Sequence, residues 1–185
     1  MKKIVKLKEV PTGGQFEIGN GIRLFKLGEK DGRAMVVFCE PLLQNHFGVD
    51  SDYRHSAINS RLVVEILPMI ERLIGAENLL EFTLNLLTVD GSRRYGTHKC
   101  RIAVPTHDIY RVGRDIFDRY PVGVGWWLAT ADTVTTTLID SRFVAPSGRE
   151  GFIRCGFEGN WIRPMCVFNS NIDVSLEEEE NAQNI

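Results

Sequence analysis

Cys155 and Cys166 each lie within three residues of an arginine, Arg154 and Arg163. A thiol in an electropositive, partly exposed setting is how a nucleophilic thiolate is made. Both cysteines, however, sit in apolar runs, "GFIRCGF" and "WIRPMCVF", that read as buried strands. There a free cysteine is a small hydrophobe, so inert thiols are expected. A metal site asks for a different pattern. His98 and Cys100 are two apart and His107 follows, but zinc usually takes two ligands from one tight turn and two from a second. No second pair follows, and neither a metal nor a cofactor is expected. His107 and Asp108 read more simply as the first turn of a helix, where an acid suits the dipole. The run "RRYGTHKCR" places Arg93, Arg94, Lys99 and Arg101 around Tyr95, a set that could grip a phosphate backbone. Yet the formal net charge is −2, and residues 1–168 alone carry +3, too little for a dedicated nucleic-acid binder. The run is expected to be a solvated loop and strand edge.

The elements that must position these residues follow from periodicity. The first forty residues alternate with the two-residue period of strands in "FEIG", "IRLFKLG" and "AMVVFCE", divided by "GNG" and "EKDG" turns, which predicts an antiparallel meander. "MKKIVKLKEV" reads as a further strand, because Lys6 and Lys8 break the apolar core that a leader peptide needs. Next, Ile58, Leu62, Ile66, Ile70 and Leu73 recur at helical spacing after Ser56 as N-cap. Pro68 should kink that helix, and Gly75 should end it. "CRIAV" predicts a strand. A second helix is expected after Thr106, with Ile109, Val112, Ile116 and Tyr120 on one face. "GWWLA", "TTLIDSRFVA", "GFIRCGF" and "WIRPMCVF" then predict a four-stranded antiparallel sheet.

At 185 residues, 43% hydrophobic and 25% charged, the chain suits one globular α+β domain with two helices packed on antiparallel sheets. No repeat or linker divides it. No run approaches the ~20 apolar residues of a membrane span, so no membrane association is expected. The four cysteines are widely spaced and are expected to be reduced. Residues 169–185 contain Asp173 and Glu177 to Glu180 and no base, and are expected to form a solvated acidic tail unless a partner orders them.

Four motifs in order, "YRHSAINSRL", "VPTHDIY", "GWWLAT" and "NWIRPMCVF", resemble a bacterial and phage domain family of unknown function. Its members run from a serine-headed helix through a "WWLR" strand to a closing "G-(V/I)-R-P-A" strand. The resemblance spans Phe16 to Phe168, with Ala129 where the family has arginine and Met165 where it has alanine. It implies a C-type lectin-like fold over residues 1–168, shared with formylglycine-generating enzymes and the receptor-binding tips of some phages. The calcium site of lectins is not expected, since neither its Glu-Pro-Asn-type loop nor its Trp-Asn-Asp-type strand occurs near the terminal sheet.

What the resemblance implies is a non-enzymatic binding or structural component of a phage particle or phage-like assembly, a fibre, tip or decoration protein. Such a protein would be made in the host cytoplasm and oligomeric within the virion. Its partners would be other virion or assembly proteins, or a host surface receptor or glycan. The binding face is expected on the loops carrying Thr130, Asp132, Thr133, Glu158, Asn160 and Trp161. Trp126, Trp127 and Arg163 are given structural roles: Arg163 in an ion pair with Asp140 or Glu158, Trp127 in the core, and Trp126 supporting the binding face. Two alternatives remain: a formylglycine-generating-type oxidoreductase using Cys155 and Cys166, and a ligand-binding module of the bacterial cytoplasm.

Overall fold

Asp31 and Gly32 both take positive φ, 51° and 72°, the geometry that a two-residue hairpin loop demands and that "DG" supplies. The hairpin they close joins two strands of the larger of two principal sheets. The computed structural model describes residues 2–134 and 139–177. Its strands are β1 (Lys2–Lys6), β2 (Gln15–Ile18), β3 (Ile22–Lys30), β4 (Arg33–Phe38), β5 (Leu43–Gln44), β6 (Phe82–Asn85) and β7 (Thr97–Cys100). They continue as β8 (Ile102–Ala103), β9 (Trp126–Ala131), β10 (Asp140–Val144), β11 (Glu150–Arg154), β12 (Trp161–Ile162), β13 (Met165–Asn169) and β14 (Asp173–Glu177). The seven-stranded sheet has the order β1-β14-β2-β3-β4-β13-β8 and the five-stranded sheet β11-β10-β9-β12-β5, while β6 and β7 form a separate pair. The architecture is α+β and mostly antiparallel; β12 runs parallel to β9, with Trp161 opposite Trp126.

Ser56 caps the first helical segment through the Asn59 amide, as its position before an apolar-periodic run requires. The segment comprises α1 (Ala57–Arg61), a π turn at Leu62–Ile66 and α2 (Leu67–Ile74). Pro68 falls in the first turn of α2, so the expected interruption takes the form of a widened turn, in which the Leu67 amide reaches back to the Leu62 carbonyl. Gly75, with φ 83°, ends the helix. Thr106 caps α3 (His107–Val112) through the Ile109 amide, and Gly113 separates it from α4 (Arg114–Phe117). The second helix is therefore two short ones. Val112, expected on its inner face, is exposed, because the buried face runs through Tyr110, Gly113 and Phe117 instead.

Two further expectations are corrected. The carboxyl strands do not make one antiparallel sheet: "WI" joins the smaller sheet as β12, and "MCVFN" crosses to the larger one between β4 and β8. The boundary after Phe168 does not hold either. Asp173–Glu177 is a strand paired with β1 along its length and with β2 at Ser175–Glu17. Val174 is buried, and Asp173 meets Lys6 at 2.8 Å, so one of the acids that looked unpartnered is answered by a lysine of β1. Residues 178–185 lie outside the described residues. Among the described residues, no helix is long and apolar enough to cross a membrane.

Candidate functional site

β9 is buried along its whole length, and its two tryptophans face different layers. Trp126 packs edge-on to Tyr110, with centroids 5.5 Å apart, and stacks on Phe117 at 5.7 Å, so α3 and α4 cover it. Trp127 meets Phe47 at 5.6 Å, and its Nε1 donates to the Asn45 carbonyl at 2.8 Å. The segment leading into α1 therefore covers the other face. Successive strand residues point in opposite directions, and both directions here end in core. The unequal roles expected of the pair are not seen.

Arg163 is also in the core, 1% exposed, and its neighbours differ from those expected. It pairs with neither Asp140 nor Glu158. Its Nε donates to the Phe38 carbonyl at 2.8 Å, and its Nη2 donates to the carbonyls of Cys39 at 3.0 Å and Tyr120 at 2.9 Å. The guanidinium carbon lies 5.3 Å from the Phe25 centroid, 5.5 Å from that of Phe117 and 5.4 Å from that of Trp126, an aromatic surround that suits a cation. Burial brings its pKa down to about 10, which leaves it charged at neutral pH. Backbone carbonyls replace the expected carboxylate because the chain passes Phe38 and Tyr120 on either side of it.

The six residues expected to form a binding face do not converge. Thr130 is buried: its Oγ1 accepts from the His107 amide at 2.9 Å, and its carbonyl accepts from Ser141. Asp132 is ion-paired to Arg142 at 2.7 Å, and the Thr133 carbonyl faces Ser51 at 3.5 Å. These three lie at the end of β9, whereas Asn160 and Trp161 lie at its beginning. The Trp161 amide donates to the Gly125 carbonyl at 2.8 Å. Four strand residues separate the two ends, roughly 13 Å. The reason is the parallel pairing of β12 with β9, since an antiparallel strand would have brought residues 158–160 alongside 127–129. Asn160 is buried, its side-chain oxygen where a Cβ on Gly125 would come within 2.5 Å, which accounts for glycine there. Trp161 is half-buried in its strand and packs against the core. Only Glu158 is exposed.

The thiol readings separate in the same way. Cys155 follows β11 in the smaller sheet and Cys166 lies in β13 of the larger, so they are not on adjacent strands. All four cysteines are free. Burial pushes the thiols of Cys39, Cys100 and Cys155 up to about 12 and that of Cys166 higher still, the opposite of what a nucleophile needs. Of the basic run, Arg101 is tied to Glu71 at 2.5 Å and to the carbonyl of Ala76, and Tyr95 shares a hydrogen bond with Ser51. Among the described residues, no group of three His, Cys, Asp or Glu side chains is placed to hold a metal ion.

Two features escaped sequence reasoning. His107, read as a helix-opening residue, bonds Glu150 at the start of β11 through Nδ1, and the Tyr110 hydroxyl donates to Gly148 in the preceding turn at 2.8 Å; "PSGREG" is thus a strap over α3. The other is a shallow depression of about 880 Å³ beside β11, bordered by Val49, Ile139, Ile153, Arg154, Phe157 and Glu158. Val49 is 89%, Phe157 43% and Ile139 36% exposed. Sequence separation hid this cluster, whose members come from three segments. No family model, curated protein or solved structure matches this chain.

Proposed function

We propose that the protein is a non-enzymatic binding or structural component of a phage particle or phage-like assembly, built on a C-type lectin-like α+β domain. The particle setting and the finer fold assignment rest on the four ordered motifs between Phe16 and Phe168. One observation carries the binding role: the depression formed by Val49, Ile139 and Phe157. Exposed apolar clusters of this kind mark surfaces that meet another macromolecule.

The occupant is a second copy of this chain. A two-fold interface must be self-complementary, and the depression carries one exposed residue of each sign, Arg154 and Glu158. Neither is ion-paired to another described residue. Across a two-fold axis Arg154 of one copy meets Glu158 of the other while the apolar centres close on each other. The raised thiol pKa values and the separation of Cys155 from Cys166 count against the oxidoreductase alternative.

Sedimentation velocity on the full chain over a micromolar series tests this. Concentration-dependent association is expected, and the double variant Val49→Asp/Phe157→Asp should stay monomeric with an unchanged circular dichroism spectrum. A wild-type chain monomeric throughout the series, or a variant that associates as the wild type does, would overturn the reading. Capsid and tail genes beside this one would support the particle setting, and a neighbouring sulfatase gene would count against it.

A further inference from the structure

A buried guanidinium is tolerated when its charge or its hydrogens are answered. Arg163 is 1% exposed, and Glu40 acts on it only as a distant charge. A guanidinium carries five N–H hydrogens. Nε spends one on Phe38, and Nη2 spends two on Cys39 and Tyr120. The two on Nη1 meet no acceptor among the described residues.

Arg163 lines a cavity of about 260 Å³ between α3–α4 and the β10–β11 turn, with Tyr110, Phe117, Tyr120, Trp126 and Ser147 among its walls. Arg114 and Asp118 also border it and are held together at 2.9 Å. Their charges cancel, so the buried guanidinium sets the sign of the site. The walls are aromatic, and the remaining hydrogens sit on one nitrogen. A phosphate group calls for several donors around its oxygens, which this cavity does not offer. A single carboxylate needs only the Nη1 edge, and an apolar body suits the rings.

We propose that this cavity binds a small organic carboxylate with an aromatic or aliphatic body, anchored by Arg163 Nη1 and packed against Tyr110, Phe117 and Trp126. The site is independent of the depression beside β11 and of the assembly reading. The strap formed by Gly148 and Glu150 on Tyr110 and His107 fixes its outer wall.

Calorimetric titration of the full chain with benzoate and hexanoate tests the proposal, with benzamide as the neutral counterpart and inorganic phosphate as competitor. Benzoate or hexanoate is expected to saturate with a perturbed tryptophan emission, benzoate binding at least tenfold more tightly than benzamide. Phosphate should not displace it. Arg163→Lys should weaken benzoate binding tenfold or more. Ser147→Trp, which fills the rim and leaves the three carbonyl bonds of Arg163 in place, should do the same. If Arg163→Lys does not fold, the benzoate–benzamide contrast in the wild type and the Ser147→Trp variant decide the matter. Equal affinity for benzoate and benzamide, no binding of either carboxylate at millimolar concentration, displacement by phosphate, or undiminished binding in folded Ser147→Trp would each overturn the proposal.

Discussion

Trp126 and Trp127 are neighbours in sequence and lie in different layers of the protein, the first against Tyr110 and Phe117 of α3–α4, the second against Phe47 and the Asn45 carbonyl. β9 is thus the seam where the segment before α1 and the short helices α3 and α4 are joined through one strand. Each indole anchors a separate group of elements.

The first prediction follows from that division. Trp126→Ala and Trp127→Ala should each cost roughly 3–5 kcal/mol, against a total stability on the order of 5–15 kcal/mol. Trp127→Ala also leaves the Asn45 carbonyl without its donor. Urea unfolding of both variants checks this: midpoints lowered to a similar extent are expected, and a Trp126 variant as stable as the wild type would restore the idea that this indole serves a surface.

Much of this arrangement was legible in the chain because its causes are local. The Ser56 and Thr106 caps, the Gly75 terminator and the Asp31–Gly32 hairpin each depend on a few adjacent residues. What was not legible depends on distant partners. Val174 and Leu176 alternate with Asp173 and Ser175 as a strand should, but the acids mask the pattern until Lys2 and Lys6 of β1 stand opposite. Arg163 was read for a carboxylate and found backbone carbonyls, which every residue possesses and no sequence distinguishes. The candidate binding loops were scattered by a single fact of topology, the parallel entry of β12 beside β9. A single register pair, Trp161 opposite Trp126, suffices for it, and no periodicity marks it.

The second prediction concerns acid. Lys26 is 3% exposed, and its Nζ donates to the carbonyls of Leu7 at 3.2 Å and Val10 at 2.8 Å as well as to Glu29, tying the segment after β1 to β3. The Lys26 side chain, hydrogen-bonded to Glu29, holds that carboxyl below the 4.5 of a free glutamate. A depressed carboxyl adds stability that is fully present above the unfolded-state pKa and is lost as pH falls through the folded-state one. Stability should therefore decline below about pH 4.5 partly through Glu29. Glu29→Gln should flatten that portion of the curve while lowering stability at neutral pH. Urea midpoints measured from pH 7 to pH 3 check this, and an identical pH slope in the variant would remove Glu29 from the account.

The third prediction turns on the thiols. At pH 8 a thiol with a pKa near 12 is a thiolate about once in ten thousand molecules, and Cys39, Cys155 and Cys166 are shielded by burial as well. Cys100, at the edge of the β6–β7 pair, has the same raised pKa but is only partly buried. Reaction of the native chain with an aromatic disulfide reagent should thus be slow at all four positions, with Cys100 modified first, and rapid and complete in denaturant. Mass spectrometry of peptides at intervals gives the order. Cys100→Ser should remove the earliest phase and leave the rest unchanged. Rapid labelling of Cys155 or Cys166 in the native state would mean that one of these sites opens and ionises, and the oxidoreductase alternative would then regain the reactive thiol that the folded structure denies it.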